Sequence, residues 1–381
     1  MPRKEFTIST TITVVFRTPR LNWGKQERLR AAAASYRDAC QFFVQEAVQH
    51  DTTSRNTLHR TSYAAACARS RLNPATVQLA LEKALGALRS HHTRVKQGRT
   101  SALPSFIRVG PFSIRRDYHR LVHTERGSWL IHFPVARQEP RIMLPLVVGE
   151  YQRRRLRELQ EGHCRQGPLE CWEGPDGSWR LAVTLVYPTK ASPTEHILGV
   201  DLGLVKTAVV SNNRFFRGKA ARWRRERWAA RRKALQEAGR LARVKREAGR
   251  ERRWTRNLNH QLSRRLVQLA QEAGQGLALE RLTHIGERTH AGRQLNRELH
   301  SGWPFRQLGG FVQYKAELAG ILFITVDPRH SSRACSRCGH TAPANRKTQG
   351  WFHCKRCGFQ LDADLNAARN LADRGHAARG L

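Results

Sequence analysis

The sequence predicts a multidomain α+β protein: a β-domain interrupted by a helical block, then an α/β domain carrying an inserted cysteine module. Three observations predict it. Apolar residues alternate with period two at the start of the chain and again from about residue 104, with helical spacing between. From about residue 196, apolar strands alternate with helical runs. Near the C-terminus, two Cys-x2-Cys pairs interrupt that second pattern.

Residues 4–18, KEFTISTTITVVFRT, place Phe6, Ile8, Ile12, Val14 and Phe16 on one face of a half-buried strand. After Pro19 the spacing becomes helical through Leu29, Ala33, Tyr36, Cys40, Phe43 and Ala47. NPATVQLALEKALGAL opens with Asn73 as N-cap and Pro74 at the first helical position, so residues 21–100 read as a helical block. Strand character returns in SFIRVGPFSIRR, SWLIHFPV and RIMLPLVV. PLECWE and SWRLAVTLVYP flank Gly174-Pro175-Asp176-Gly177, a hairpin turn. One antiparallel β-domain is expected, its first strand pairing across the helical insert.

The second unit begins near 196. HILGVDLGLVKTAVVS reads as strand, tight glycine turn, strand. Residues 214–256 then carry 18 Lys and Arg against four Glu. The helical run NLNHQLSRRLVQLA, the strand GLALERL, the helix FRQLGGFVQYKAELAG and the strand ILFITVD follow, before the cysteine module and a last helix.

Lys and Arg number 68 against 30 Asp and Glu, a net charge of +38 over 381 residues. Such an excess repels itself unless a polyanion neutralises it. It is spread through patterned, apolar-containing sequence and not confined to a tail, so nucleic acid is the expected partner, over many phosphates. The start MPRKEFTIST lacks the apolar core of a signal peptide, and no apolar run approaches the ~18–20 residues of a membrane span. Cys40, Cys67, Cys164 and Cys171 are scattered, which suits a reducing compartment. The expected setting is intracellular and cytoplasmic, at the nucleoid when DNA is bound, with no membrane partner.

The other four cysteines, Cys335, Cys338, Cys354 and Cys357, follow C-x2-C-x15-C-x2-C. Four thiolates at this spacing close a tetrahedral Zn²⁺ site, and Gly339 and Gly358 ease the two knuckle turns. A saturated set of four thiolates is structural, and its two net negative charges can be offset by Arg333, Arg337, Lys355 and Arg356. His340 and His353 are then surplus as ligands.

Three carboxylates stand at telling positions. Asp201 ends an apolar strand, Glu280 closes LALE, and Asp364 lies in the opening turn of the last helix. Singly, each has a bland reading as turn residue, solvated strand end or helix-terminus carboxylate. Together, three carboxylates from separate elements of one α/β domain can bind Mg²⁺, which needs hard oxygen ligands. Two such ions about 4 Å apart activate a water and stabilise the leaving oxygen of a phosphodiester. Residues two apart on a helix diverge by about 200°. Asp362 and Asp364 therefore do not share one task.

GVDLGLVKTAVVS, LALERLTHIGER, VDPRHSSRACSRCGH and DADLNAARN stand in the order of the nuclease motifs of TnpB proteins, and the chain resembles that family over most of 196–374. These are transposon-encoded RNA-guided DNA endonucleases, relatives of compact type V CRISPR effectors. The resemblance implies an RNase H-like (RuvC) nuclease domain with Asp201, Glu280 and Asp364 as its Mg²⁺-binding catalytic triad. Asp364 is the aspartate two before Asn-Ala-Ala, the family's catalytic position, so Asp362 is then read as the N-cap. Arg281 departs from the family, standing where relatives often have an acidic residue.

The domains implied are a β-barrel-like wedge domain over 1–20 and 101–195, and a helical recognition insert over 21–100. A nuclease domain over 196–330 and 359–381 and a zinc ribbon over 331–358, the target-nucleic-acid-binding element, complete the chain. Guide RNA and target double-stranded DNA are the implied partners, with cleavage beside a short DNA motif. Within the basic run, Arg222, Trp223, Arg224, Arg225, Trp228 and Trp254 are candidates for nucleic-acid contact through phosphate pairing and base stacking, against a solvated helical face as the alternative. Arg333 is a candidate for the scissile phosphate. Two other readings stand beside the leading one: a guided DNA-binding protein or repressor that does not cleave, and a RuvC-like transposase or resolvase that needs no guide RNA.

Overall fold

The computed structural model describes residues 8–192, 194–203, 205–281, 305–346, 348 and 350–378. It falls into two compact units, Thr11–Pro188 and Met1–Thr10 with Thr189–Leu381. Phe6 of the first predicted strand lies outside the described residues.

In the first unit, β1 (Ile8–Arg17) leads into three helices, α1 (Trp23–Gln49), α2 (Arg55–Arg69) and α3 (Pro74–Lys96). Each helix starts where a side chain satisfies an early backbone N–H. Asn22 accepts from Lys25 N at 2.9 Å, Ser54 from Thr57 N at 3.4 Å and Asn73 from Ala75 N at 3.0 Å. The helically spaced set from Leu29 to Ala47 is buried throughout, so the spacing did mark the face that packs.

β6 (Arg165–Glu173) and β7 (Trp179–Thr189) form the expected hairpin, closed by Gly174 N to Ser178 O at 2.8 Å. β1 pairs with β7, giving the order β1-β7-β6-β2, where β2 is Phe112–Ile114. The β-domain contains a second sheet. β3 (Arg120–His123), β4 (Trp129–Phe133) and β5 (Ile142–Pro145) make a separate three-stranded sheet, joined to β1 by the bridge Arg17–Val147. The strand expected from residue 104 is reduced to three residues because Pro104 and Pro111 lack N–H donors and Gly110 adds none of the stiffness a ladder needs. A further helix, α4 (Glu150–Gln160), follows β5 with Leu156 as its one buried residue. So little apolar content hid it from a reading by periodicity.

The second unit is built on a five-stranded sheet in the order β10-β9-β8-β11-β12. Its strands are β8 (Ile197–Asp201), β9 (Lys206–Val210), β10 (Arg214–Arg217), β11 (Gly276–Glu280) and β12 (Phe323–Val326). β11 runs parallel to both β8 and β12, while β9 is antiparallel to β8 and to β10. β10 was not foreseen; the basic run begins as an edge strand and turns helical only at α5 (Lys219–Glu237).

Period-two alternation divides the two faces. Leu198, Val200, Leu277 and Leu279 pack against α6 (Leu241–Ala273) and α7 (Phe305–Leu318) through Leu262, Leu266, Leu308 and Val312. Ile197 and Ala278 face α8 (Ala363–Ala378), meeting Leu371. Cover on both faces explains why the parallel strands read as continuous apolar runs. The zinc-like module ends in the hairpin β13 (Trp351–His353) and β14 (Gln360–Asp362), and α8 begins at the next residue.

α8 lies unusually close to β8, and glycine makes that possible. A Cβ on Gly199 would sit 2.0 Å from Ala368 O and 2.4 Å from Ala372 N, both backbone atoms of the helix. On the helix side, a Cβ on Gly375 would meet Ala278 Cβ at 2.8 Å. Gly199→Ala therefore must push the helix off the sheet, and should cost at least the roughly 1–3 kcal/mol typical of overpacking. Gly310→Ala, on an α7 face with nothing within 4 Å of the new Cβ, should instead add about 0.5–1 kcal/mol. Denaturant midpoints of the two variants check the opposite signs.

Candidate metal centres and nucleic-acid interface

The cysteine module contains a complete donor set. The Sγ atoms of Cys335, Cys338, Cys354 and Cys357 all lie within 4.8 Å of one another. Cys335 and Cys357 are 3.8 Å apart, and Cys338 and Cys354 3.6 Å. A tetrahedron with Zn–S bonds of about 2.3 Å has S–S edges of about 3.8 Å, whereas a disulfide requires about 2.05 Å. The thiols are thus spaced for a metal and not for oxidation. Burial opposes ionising Cys354, but the backbone amides of Cys357 and Arg356 outweigh it and bring the thiol down to about 7. Asn345 locks the module from within: it donates to Arg333 O at 2.9 Å and His340 O at 3.0 Å, and accepts from Lys355 N at 2.9 Å.

The three carboxylates come from the elements the sequence assigned. Val200 pairs with Leu279, so Asp201 and Glu280 are the next residues of two parallel neighbours, on strands about 4.8 Å apart. Alternation places both on the face of Ile197, Gly199 and Ala278, the face that α8 covers. Asp364 lies in the first turn of α8. Burial, followed by the charges of Glu280 and Asp364, pushes Asp201 well above the ordinary carboxylate range; Arg346 and Lys206 pull it back only in part. Burial alone moves Glu280 from 4.5 to about 7. The carboxylates feel one another, yet among the described residues only the cysteines draw their donor atoms within 4.8 Å as a set.

Asp364 is engaged by cations instead. Its Oδ2 lies 3.1 Å from Lys206 Nζ and its Oδ1 3.3 Å from Arg346. Asp362 is the N-cap, its Oδ1 accepting from Asp364 N at 3.1 Å and Leu365 N at 3.2 Å, while its Oδ2 pairs with Lys206. The sequence reading of Asp362 as the N-cap matches these hydrogen bonds, but that reading missed both cations. Lys206 carried a signal, being the lone basic residue of GVDLGLVKTAVVS; Arg346 stands in a loop with no pattern to betray it.

The basic candidates sort themselves by packing. α5 and α6 form a hairpin tied by Glu247, which is buried between Arg231 at 3.5 Å and Arg250 at 3.0 Å. Trp228 and Trp254 meet edge-on at 5.4 Å inside this hairpin, with Arg224 over Trp254 at 5.2 Å. These two tryptophans are packing residues. Trp223 is 54% exposed with Arg227 over its ring at 4.8 Å, and remains available for stacking. Arg222 pairs with Glu226 at 3.0 Å, and Arg225 donates to Ala221 O at 3.3 Å. Arg333 is exposed and lines a surface hollow of about 450 Å³ with Pro328, Arg329, His330 and Ser332. Arg281 donates its N–H to Val326 O at 2.7 Å, and the motif residues from Leu282 to Arg288 lie outside the described residues.

Residues 305–371, from α7 through the cysteine module to α8, match the family model described as Cas12f1-like, TNB domain. The chain is 39% identical over 115 residues to the CRISPR-associated endodeoxyribonuclease Cas12f1 of Sulfoacidibacillus thermotolerans, a match covering 30% of this chain and 26% of that protein. It is 30% identical over 124 residues to TnpB-like protein MJ0751 of Methanocaldococcus jannaschii, covering 32% of this chain and 44% of the relative. The matches thus span less than half the length of either relative. In fold, the chain is similar to a chain from the cryo-EM structure of a Cas12f1–sgRNA–target DNA complex, with a TM-score of 0.69 over 91% of this chain and 82% of the other, at 16% identity. Among the described residues no helix is long and apolar enough to cross a membrane. The matched domain, the sequence relatives of both kinds and the shared mixed α/β multidomain fold make the chain similar to TnpB-like proteins and to compact Cas12f endodeoxyribonucleases.

Proposed function

We propose that the chain is an RNA-guided, Mg²⁺-dependent DNA endonuclease with a RuvC-like nuclease domain. The observation that carries this reading is the convergence of Asp201, Glu280 and the first turn of α8 on one face of the sheet. The strand order, three parallel strands extended on one side by two that pair antiparallel, is consistent with an RNase H-like nuclease. Asp201, Glu280 and Asp364 would hold Mg²⁺, which when bound supplies a nucleophilic water and neutralises the leaving oxygen. The donor chemistry fits: hard carboxylate oxygens, with Glu280 raised toward neutrality by burial and Asp201 by burial and neighbouring carboxylates, a state that added positive charge relieves.

The remaining assignments follow from the same reading. Residues 1–20 and 101–195 act as the wedge domain, 21–100 as the helical recognition insert, 196–330 and 359–381 as the nuclease domain and 331–358 as the zinc ribbon. Guide pairing selects the sequence of target double-stranded DNA while the protein reads backbone shape and one short motif. Trp223, Arg222, Arg224 and Arg225 contact the nucleic-acid backbone or bases from the basic hairpin, where Arg222, Trp223 and Arg224 are exposed, and Arg333 contacts a target-strand phosphate. Cys40, Cys67, Cys164 and Cys171 are free and buried, which supports an intracellular setting.

Asp201→Ala or Glu280→Ala should bring plasmid cleavage by the RNA-loaded protein to background while RNA binding stays within about twofold of the native value; cleavage surviving either change sinks the assignment. Zinc removal should unfold residues 331–358, because structural Zn²⁺ contributes apparent free energies on the order of 10 kcal/mol to such modules. Limited proteolysis after chelation reads this as new cuts confined to that segment. The raised carboxylates set a pH dependence. Glu280 titrates at 4.5 unfolded and about 7 folded, so its contribution to stability is full below 4.5 and lost as pH rises through about 7. That loss is on the order of 3 kcal/mol. Mg²⁺ competes with the proton, so it should raise the melting temperature more above pH about 7 than below it; an equal shift at both would exclude Glu280 from the metal site.

A further inference from the structure

We propose that Lys206 is an internal placeholder for the metal: it occupies Asp364 in the metal-free protein and passes to a nucleic-acid phosphate when a divalent cation loads. The inference rests on the reading of Asp364 as a metal ligand.

The geometry is specific. Asp362 is fixed through its Oδ1 by two amides of the α8 start, which leaves Oδ2 aimed at Lys206. Lys206 Nζ also reaches Asp364 Oδ2 at 3.1 Å and lies 5.4 Å from the centroid of the Phe215 ring. Three anionic or π surfaces therefore hold one ammonium beside a ligand carboxylate. Arg346 lies at the second oxygen of that carboxylate, 3.3 Å away. Both oxygens of Asp364 thus face a cation, and an arriving Mg²⁺ meets two like charges.

A phosphodiester changes the balance. Its anionic oxygens offer Lys206 and Arg346 another partner, and both side-chain types pair well with phosphate. Once they turn to it, the oxygens of Asp364 are released to the metal. Conversely, a metal on Asp364 expels both cations toward the strand. Metal and backbone phosphate therefore favour each other, and by linkage the coupling is reciprocal. Both side chains are about three-quarters covered, at 23% exposure, yet still touch solvent from which a phosphate can approach.

The test is Mn²⁺ binding to the zinc-loaded full chain, followed by paramagnetic water relaxation, with and without a short phosphorothioate DNA strand. The native protein should bind Mn²⁺ several-fold tighter when the strand is present. Lys206→Met should bind Mn²⁺ several-fold tighter than native without the strand, and gain less from adding it. Lys206→Arg, which keeps the charge, should stay near the native value. A structural role for Lys206 predicts the opposite sign, since a damaged site weakens metal binding. Unchanged or weaker Mn²⁺ binding by a folded Lys206→Met overturns the proposal. Asp364→Asn separates the two levels: if it binds Mn²⁺ as the native protein does, the metal-centre reading itself falls.

Discussion

The candidate nuclease centre depends on one steric constraint, the backbone-to-backbone approach of α8 to β8. Gly199 and Gly375 remove the Cβ atoms that would hold helix and sheet apart. The apolar contacts around them, Ile197, Ala278 and Leu371 on one side and Val209, Leu365 and Ala368 on the other, then set the axial position of the helix. Since Asp364 lies in the first turn, that position fixes its distance from the strand-end carboxylates. Interiors are close-packed and do not deform continuously. A site assembled from three elements can keep its geometry only because the elements meet this tightly.

Electrostatics works against the same site and gives it its selectivity. The chain carries +38, so almost any surface attracts polyanions. Four carboxylates gather at this one place, and burial makes the ionisation of Asp201 and Glu280 costly. Lys206 and Arg346 offset part of that cost, but from the side of Asp364. Asp201 and Glu280 are left to repel each other. The protein thus prepares a place where positive charge is needed within a surface that supplies it everywhere else.

Much of this was legible in the sequence, and the reasons are physical. Strands covered on both faces betray themselves by continuous apolar runs, and β8 and β11 did so. Thiol spacing of C-x2-C is set by the knuckle turn, so four cysteines could be grouped before any coordinates. Helix geometry said that Asp362 and Asp364 do not share one task, and the cap found at Asp362 agrees with its reading from the sequence. What stayed hidden was long-range pairing. Nothing in RIMLPLVV says which sheet it joins, and the separation of β3-β4-β5 from the main sheet came from partner choice and not from local pattern. The tryptophans of the basic run were similarly opaque: Trp223 and Trp228 look alike in sequence, and only the partner helix makes Trp228 a packing residue and leaves Trp223 at the surface.

The join between the cysteine module and α8 has a wider consequence. Asp362 is at once the last residue of β14, paired with Trp351, and the cap of the helix that follows. No linker separates them, so the hairpin sets the rotational phase of the helix. Adding or deleting one residue there would turn Asp364 by about 100° around the helix axis and carry it away from the sheet. Natural variation at this seam should therefore take the form of substitution at constant length.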